Sequence, residues 1–299
     1  MRIGIFGGTS HRPIDDVIAE ARAAEADGFA SYALPQIFGL DAMGLLAIVG
    51  REVPRITLET GVVPTYARHP LTMAQQALTV AAASGGRFVL GIGLSHQLVI
   101  ENMFGLSFDR PLRHMRDYLA VLMPLIDDGK AEVDGATIST HLALTIEGRE
   151  PCPVVVAALG PKMLELAGEQ TAGTVTWMTG PATLAEHTVP TITAAAARAG
   201  RPAPRIISAL PICLTNDVDA ARERAARDFQ VYGFLPSYRA MLDREGAGGP
   251  GDVAIAGDDA VLTAAMSRLV DAGVTQFMAS IFGSREERER TRAFLQSMF

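Results

Sequence analysis

Residues 87–96 read RFVLGIGLSH, an apolar run that ends in two glycines, a serine and a histidine. Such a run either opens a dinucleotide-binding loop or forms a buried barrel strand whose last residues face a ligand. A dinucleotide-binding loop carries three glycines, and His96 stands where the third would be. The turn after the first apolar run of the chain, GGTSHRP, does not match that motif either. The stretch therefore favours a barrel strand.

Strand-like and helix-like segments alternate along most of the chain. The strand-like runs are apolar, which is typical of parallel strands buried on both faces. We predict strands at residues 2–6, 29–36, 57–67, 87–95, 152–159, 173–179, 205–215 and 276–283. Eight strands that alternate with helices over 299 residues predict a (β/α)8 TIM barrel. A doubly wound sheet is the alternative, but it would carry a glycine motif after its first strand.

Three segments are longer than a minimal barrel needs. Residues 97–111 are predicted as a loop, residues 130–151 hold two strand-like pieces (ATIST and LALTIEG), and residues 232–256 are glycine-rich. We interpret all three as insertions into a single domain that spans residues 1–299. Long loops in compact domains commonly act as lids or binding loops. We therefore expect substrate specificity to lie in the first and third insertions.

Composition narrows the class of protein. The formal net charge is −7 with no long block of one sign, so neither nucleic acid nor an anionic membrane surface is an expected partner. The only cysteines, Cys152 and Cys213, lie far apart and lack metal-ligand spacing, which predicts a reducing cytoplasm. The amino terminus does not resemble a signal peptide, and no apolar segment reaches the ~20 residues that span a bilayer.

Metal-dependent and serine-dependent hydrolysis are not predicted. The six histidines form neither H-x-H nor H-E-x-x-H, and G-x-S-x-G does not occur. A metallohydrolase would need several ligands that converge on one ion, so we expect no metal site.

Small and polar residues gather instead where the predicted strands end. Gly160 and Pro161 suit the start of a helix, whose free N–H groups could hold a phosphate beside the Lys162 cation. The same helix start with a solvated lysine is the alternative interpretation. Trp177, the only tryptophan, fits either the core or a ligand wall. A site rimmed by glycine with few catalytic groups suggests that a bound cofactor supplies the chemistry.

In these motifs the chain resembles the bacterial luciferase-like monooxygenase superfamily and, more narrowly, the coenzyme F420-dependent oxidoreductases of actinobacteria. The residues that carry the resemblance cover nearly the whole length in the family's order. They are TGVVPTYARHPLTMAQQALT (60–79), GGRFVLGIGLSH (85–96), ALGPKMLELAGEQTAGTVTWMTGP (158–181) and LVDAGVTQFMASIFG (269–283).

The resemblance implies a deazaflavin or flavin at the barrel mouth, a phosphate site around Gly160 and a non-proline cis peptide between Gly61 and Val62. The histidine–acid pair of the related sugar-phosphate dehydrogenases is not carried over, because Pro35 and Gln36 stand at that strand end. The implied cofactor-binding residues are Gln36, Gly61, Val62, Val63, Ser95, His96, Ala158, Leu159, Gly160, Pro161, Lys162, Met163, Trp177, Thr179 and Gly180.

We therefore expect an enzyme that transfers a hydride between coenzyme F420 and a small organic substrate. His96 and His11 follow strands at the mouth and are the candidate catalytic acid or base. Arg285 could pair with the anionic tail of the cofactor or simply be solvated. An FMN-dependent luciferase-like monooxygenase and a non-catalytic flavin-binding protein are the alternatives. The family suggests a homodimer.

Overall fold

A computed structural model describes residues 1–299. The strands are β1 (Arg2–Phe6), β2 (Ser31–Leu34), β3 (Thr57–Thr60), β4 (Val63–Pro64), β5 (Phe88–Gly93), β6 (Lys130–Asp134), β7 (Ser139–Ala143), β8 (Val154–Val156), β9 (Gly173–Trp177), β10 (Arg205–Leu214), β11 (Ile255–Gly257) and β12 (Gln276–Ile281).

The helices are α1 (Ile14–Ala26), α2 (Ala42–Glu52), α3 (Pro70–Ser84), α4 (Gln97–Asn102), α5 (Pro111–Asp127), α6 (Pro161–Gln170), α7 (Pro181–Thr183), α8 (Val189–Arg198), α9 (Val218–Asp228), α10 (Pro236–Glu245), α11 (Pro250–Val253), α12 (Asp259–Asp271) and α13 (Arg285–Gln296). A π-helical turn, Leu184–Thr188, joins α7 to α8, and a 3-10 turn spans Gln230–Gly233. None of these helices combines the length and the apolar character that crossing a bilayer requires.

Eight parallel strands close into a ring in the order β1, β2, β3, β5, β8, β9, β10 and β12, and β12 pairs with β1 again. Each strand of the ring has a neighbour on both sides, which confirms the (β/α)8 barrel. The doubly wound alternative is wrong because an open sheet would leave two edge strands unpaired. β4 pairs with β5, and β11 with β10, at the margins of the ring.

The strands are apolar because both of their faces are buried. In β5, Val89 points into the barrel, where it packs in a cluster that includes Val155 and Val175. Phe88 and Leu90 point outward into the larger core beneath the helices. This alternation follows the two-residue period of a strand. Burial of each such side chain contributes about 1.5–3 kcal/mol relative to exposure.

The three insertions differ in detail from their predictions. Residues 97–111 are not wholly a loop, because α4 forms at their start and buries Ile100. The two strand-like pieces near residues 136–148 are displaced: β6 begins at Lys130 and pairs antiparallel with β7. His141, which separated the two predicted pieces, lies within β7 opposite Glu132.

The glycine-rich third insertion is largely helical. It holds α10 and α11 and leads into β11. Gly246 ends α10 with φ +74°, a conformation that glycine adopts readily. This glycine therefore marks a helix end and is not part of a long loop. The assignment of residues 1–299 to a single domain stays a prediction.

Candidate active site

A cavity of about 690 Å³ opens at the carboxyl ends of the barrel strands. Phe6, Gly93 and Trp177 are the last residues of β1, β5 and β9, and all three line the cavity. Two insertions form its sides, with Leu98 on α4 and Tyr238 on α10. Barrel enzymes carry their active sites at this end, so this cavity is the candidate active site.

The floor of the cavity is built from small residues, which we call the shelf: Gly61, Val62, Gly93 and Ala157. The peptide bond between Gly61 and Val62 is cis, as the resemblance implies. A Cβ added at Gly93 would lie 2.8 Å from Val62 Cγ2 and 3.2 Å from the Ala157 Cβ. Glycine at this position therefore lets the Val62 and Ala157 side chains pack closely against the backbone of β5. Val63 is buried beside the shelf and does not line the cavity.

Trp177 forms one wall of the cavity and also packs into its surroundings. Its indole stacks on Phe6 with ring centroids 5.6 Å apart and an interplanar angle of 13°. Phe229 and Tyr232 contact it edge-on, at 5.6 Å and 5.8 Å. These neighbours hold the ring in place. Trp177 is therefore both packed like a core residue and part of the wall of the candidate ligand site.

Ser95 and His96 line the cavity just beyond β5. Ser95 has a positive φ of 61°, which turns the chain at this point. The His96 ring lies 5.5 Å from the ring of Tyr238. Burial lowers the pKa of His96, which keeps the imidazole neutral at neutral pH. Burial, together with the nearby Tyr232, raises the pKa of the Tyr238 phenol, so this group also stays neutral.

Three residues that were predicted near the ligand lie outside the cavity lining. His11 is exposed in a turn after β1, so the structure does not bring it together with His96. The side-chain oxygen of Gln36 accepts a hydrogen bond from Ala42 N at 2.8 Å, and its backbone N–H bonds to Val62 O. Gln36 thus supports the back of the shelf. Arg285 is exposed and pairs with Glu289 at 2.8 Å.

The start of α6 offers donors for an anion, and we call this the Gly160 cradle (Gly160–Met163). No atom lies within 4 Å of a Cβ added at Gly160, and the N–H of Lys162 has no backbone acceptor. His187 Nε2 donates to Leu159 O at 2.8 Å and fixes the loop. Leu159, Gly160 and Met163 line the cavity, Pro161 and Lys162 are exposed beside it, and Ala158 is fully buried.

The helix start beside Thr179 and Gly180, which the resemblance implies as cofactor-binding residues, already has an acidic partner in Glu245. The Glu245 carboxylate already accepts hydrogen bonds there, from Ala182 N at 3.1 Å and Thr183 N at 2.7 Å. A Cβ added at Gly180 would lie 2.2 Å from Glu245 Cδ. A second anion at this helix start would therefore meet a carboxylate instead of free donors.

Sequence reasoning missed Tyr238 and Glu245, which both belong to α10. Pro236 at the first helical position followed by a Tyr-Arg-Ala-Met-Leu run was the available signal, and the neighbouring glycines obscured it. No group of three or more His, Cys, Asp or Glu side chains is arranged to hold a metal ion.

A family model described as luciferase-like monooxygenase matches residues 1–298. The chain belongs to the luciferase-like monooxygenase family. This match confirms the resemblance that the barrel-strand motifs carry, and it agrees with the closed barrel and its cis peptide bond.

The chain is similar to two reductases that are named for tetrahydromethanopterin compounds. It is 28% identical over 308 residues to the 5,10-methylenetetrahydromethanopterin reductase of Methanolobus tindarius. This alignment covers 92% of this chain and 93% of the relative. The solved coenzyme F420-dependent tetrahydromethanopterin reductase of Methanopyrus kandleri superposes with a TM-score of 0.82 at 23% identity, over 99% of this chain and 97% of that one.

The same fold also occurs with another cofactor. The oxygenating constituent of 3,6-diketocamphane monooxygenase from a Pseudomonas putida plasmid, solved with FMN, superposes with a TM-score of 0.78 at 15% identity, over 99% of this chain and 96% of that one. Proteins of this fold therefore include a coenzyme F420-dependent reductase and a monooxygenase solved with FMN, and these structural similarities establish the fold alone.

Proposed function

We propose that this protein is a coenzyme F420-dependent oxidoreductase that transfers a hydride between the deazaflavin and a small organic substrate. The observation that carries the proposal is the shelf and the Gly160 cradle facing one cavity. FMN would use the same two features. The deazaflavin is favoured because the relative that matches most of the chain is a reductase and the structural neighbour from Methanopyrus kandleri is F420-dependent.

The residues present fit such a cofactor. The shelf consists of small residues that line the open cavity, which suits a planar ring, and Gly93 lacks the Cβ that would displace Val62 from its position in the shelf. The free N–H of Lys162 and the positive end of α6 are donors that suit a phosphate. When bound, a deazaflavin supplies a ring carbon that accepts or releases a hydride.

The protein contributes placement, water exclusion and a proton. The shelf orients the ring, while α4 and α10 cover the sides of the cavity. In the oxidising direction the substrate carbon gives up the hydride, and the neutral imidazole of His96 accepts the proton of the substrate hydroxyl group. In the reducing direction the protonated His96 returns that proton to the substrate oxygen. We assign this role to His96 and not to His11, because only His96 lines the cavity.

Cofactor binding tests the proposal. Purified protein is titrated with oxidised deazaflavin and, separately, with FMN, while quenching of cofactor fluorescence and of Trp177 emission is followed. We expect saturable quenching by the deazaflavin and much weaker binding of FMN. Gly93→Ala should abolish ring binding, whereas Gly249→Ala, where an added Cβ meets open space, should not.

Binding of FMN alone would instead favour the monooxygenase, for which the structural similarity to the FMN complex provides support. Binding of reduced deazaflavin without turnover of any acceptor would favour a non-catalytic flavin-binding protein.

We further propose that the protein is a homodimer and that it is located in a reducing cytoplasm. Both cysteines are buried and free, as a reducing compartment would keep them. Light scattering coupled to size-exclusion chromatography tests the dimer, and a monomeric mass would contradict it.

A further inference from the structure

The wall of the active-site cavity carries almost no charge. Among the side chains that line it, Glu101 alone has a fixed charge, and no arginine or lysine lines it. The Glu101 carboxylate accepts hydrogen bonds of 3.1 Å and 3.0 Å from the Gln97 amide and forms no ion pair. The single formal charge at this wall is therefore negative and is not neutralised by a cation.

The rest of the wall is predominantly apolar. Leu98 lines the cavity and is 56% exposed, so the apolar surface extends to the mouth. Phe108 also lines it and stacks on Tyr66 at 5.2 Å. An anion that entered this space would lose hydration without gaining a cationic partner, which is strongly unfavourable.

Apart from Glu101, the polar side chains at the wall are uncharged: Ser95, His96, Gln97, Asn102, Thr176, Ser237 and Tyr238. The rings of His96 and Tyr238 lie next to each other. Such groups donate or accept single hydrogen bonds, which suits one carbonyl or hydroxyl group. They do not form the cationic cluster that phosphates or carboxylates require.

We infer that the substrate of the proposed oxidoreductase, on whose function this inference rests, is an uncharged and mostly apolar molecule with a carbonyl or hydroxyl group. Phosphorylated and carboxylated molecules are excluded from this part of the cavity by Glu101 and by the absence of a cation. This exclusion does not apply to the phosphate of the cofactor, because that phosphate would lie at the Gly160 cradle beside Lys162.

The test compares two probes of equal chain length, 2-decanone and decanoate, with the cofactor-free protein at neutral pH. Trp177 is the only tryptophan and lines the cavity, so its fluorescence reports binding there directly. We expect the ketone to bind saturably and decanoate to bind roughly tenfold more weakly or worse.

Two substitutions should change this preference in a known direction. Leu98→Arg introduces a cation at the wall and should strengthen decanoate binding. The matched control is Val270→Arg on α12, where the wild-type side chain is 49% exposed and outside the cavity, and it should have no effect. Glu101→Gln should also favour decanoate, whereas Glu169→Gln, an exposed position on α6, should not. Circular dichroism confirms that each variant is folded.

Decanoate binding as tight as the ketone, or saturation by neither probe, would overturn the inference. Deazaflavin binding is measured separately through its own absorbance. If the deazaflavin does not bind while the preference for the ketone persists, the proposed function fails and the charge selectivity stands. If the deazaflavin binds and decanoate matches the ketone, the proposed function stands and the inference on substrate class fails.

Discussion

The carboxylate of Glu245 accepts a 2.7 Å hydrogen bond from the backbone N–H of Thr183, across 62 residues of sequence. Glu245 is the last residue of α10, the helix that brings Tyr238 to the cavity. A carboxylate at a helix N-terminus is favourable because it complements the free N–H groups and the helix dipole. This contact thus holds α10, which forms one wall of the cavity, against the carboxyl-terminal end of the barrel.

Glu245→Ala should lower the free energy of unfolding by about 1–2 kcal/mol, because two N–H groups lose a charged acceptor at a partly exposed site. Urea denaturation measures the change. Glu169→Ala removes an exposed glutamate that forms no ion pair and should change stability by less than about 0.5 kcal/mol. Equal effects of the two substitutions would contradict the importance of this contact.

The same variant tests whether the helix start beside Thr179 and Gly180 contributes to phosphate binding. If the Gly160 cradle alone holds the phosphate, deazaflavin affinity of Glu245→Ala stays within about twofold of wild type. A many-fold increase would mean that the vacated helix start at Gly180 binds the phosphate. Fluorescence-quenching titrations of wild type and of Glu245→Ala with the deazaflavin measure the two affinities.

The two lysines of the chain provide a matched test of the Gly160 cradle. Lys162 is exposed at the start of α6, whereas Lys130 is exposed on β6, in the hairpin insertion. Lys162→Ala should weaken deazaflavin binding by about two- to fivefold, because an exposed cation contributes about 0.3–1 kcal/mol beside an anion. Lys130→Ala should leave binding unchanged. The loss should shrink at high salt, and a loss that ignores salt would argue against an electrostatic role.

The pH dependence of activity should reflect His96. Its pKa is lowered by burial, and His96 must be deprotonated to accept a proton during substrate oxidation. The acid limb of kcat/KM for oxidation should therefore lie below the ordinary value of about 6.5. His96→Asn should remove that limb along with most of the activity. His141→Asn is the control, because this histidine is exposed on β7 and its pKa is raised by hydrogen bonds to Glu132 and then Asp134. A profile that His96→Asn leaves unchanged would exclude His96 as the proton acceptor in the oxidising direction.

The stability of the barrel should depend on a buried acid at the other end of the strands. Glu59 is 3% exposed and accepts a 2.7 Å hydrogen bond from Gln276 Nε2. Burial raises the pKa of Glu59, with that hydrogen bond and then Arg205 opposing the shift. A raised pKa means that the native state holds the proton more tightly than the unfolded state does. Its contribution is therefore complete below the unfolded pKa of about 4.3 and is lost as pH rises through the folded value.

Glu59→Gln should flatten this dependence, because the amide keeps an acceptor for Gln276 and cannot ionise. Between about pH 5 and about pH 8, wild type should lose more stability than the variant does. Urea unfolding at both pH values measures the difference. Glu169→Gln should behave like wild type, and parallel pH curves for Glu59→Gln and wild type would refute the assignment.

The barrel could be predicted from the sequence because its signals are local. Apolar runs bounded by glycine and proline identify strands regardless of what packs on them, as β5 shows with all six residues buried. Proline at the first position of α6 likewise predicts the helix start that forms the Gly160 cradle. The insertions were predicted less well, since their short helices and hairpin gain stability from packing on the barrel and carry weaker periodic signals.

The sequence by itself determined the eight-stranded barrel, the glycines of the shelf and the helix start beside Gly160, because chain neighbours are sufficient for each. The tertiary structure decided which polar groups meet. It placed Tyr238 against His96, left His11 in an exposed turn, and filled the helix start at Gly180 with Glu245. Contacts between residues that are far apart in sequence depend on how whole helices pack on the rim, and no local pattern encodes that geometry.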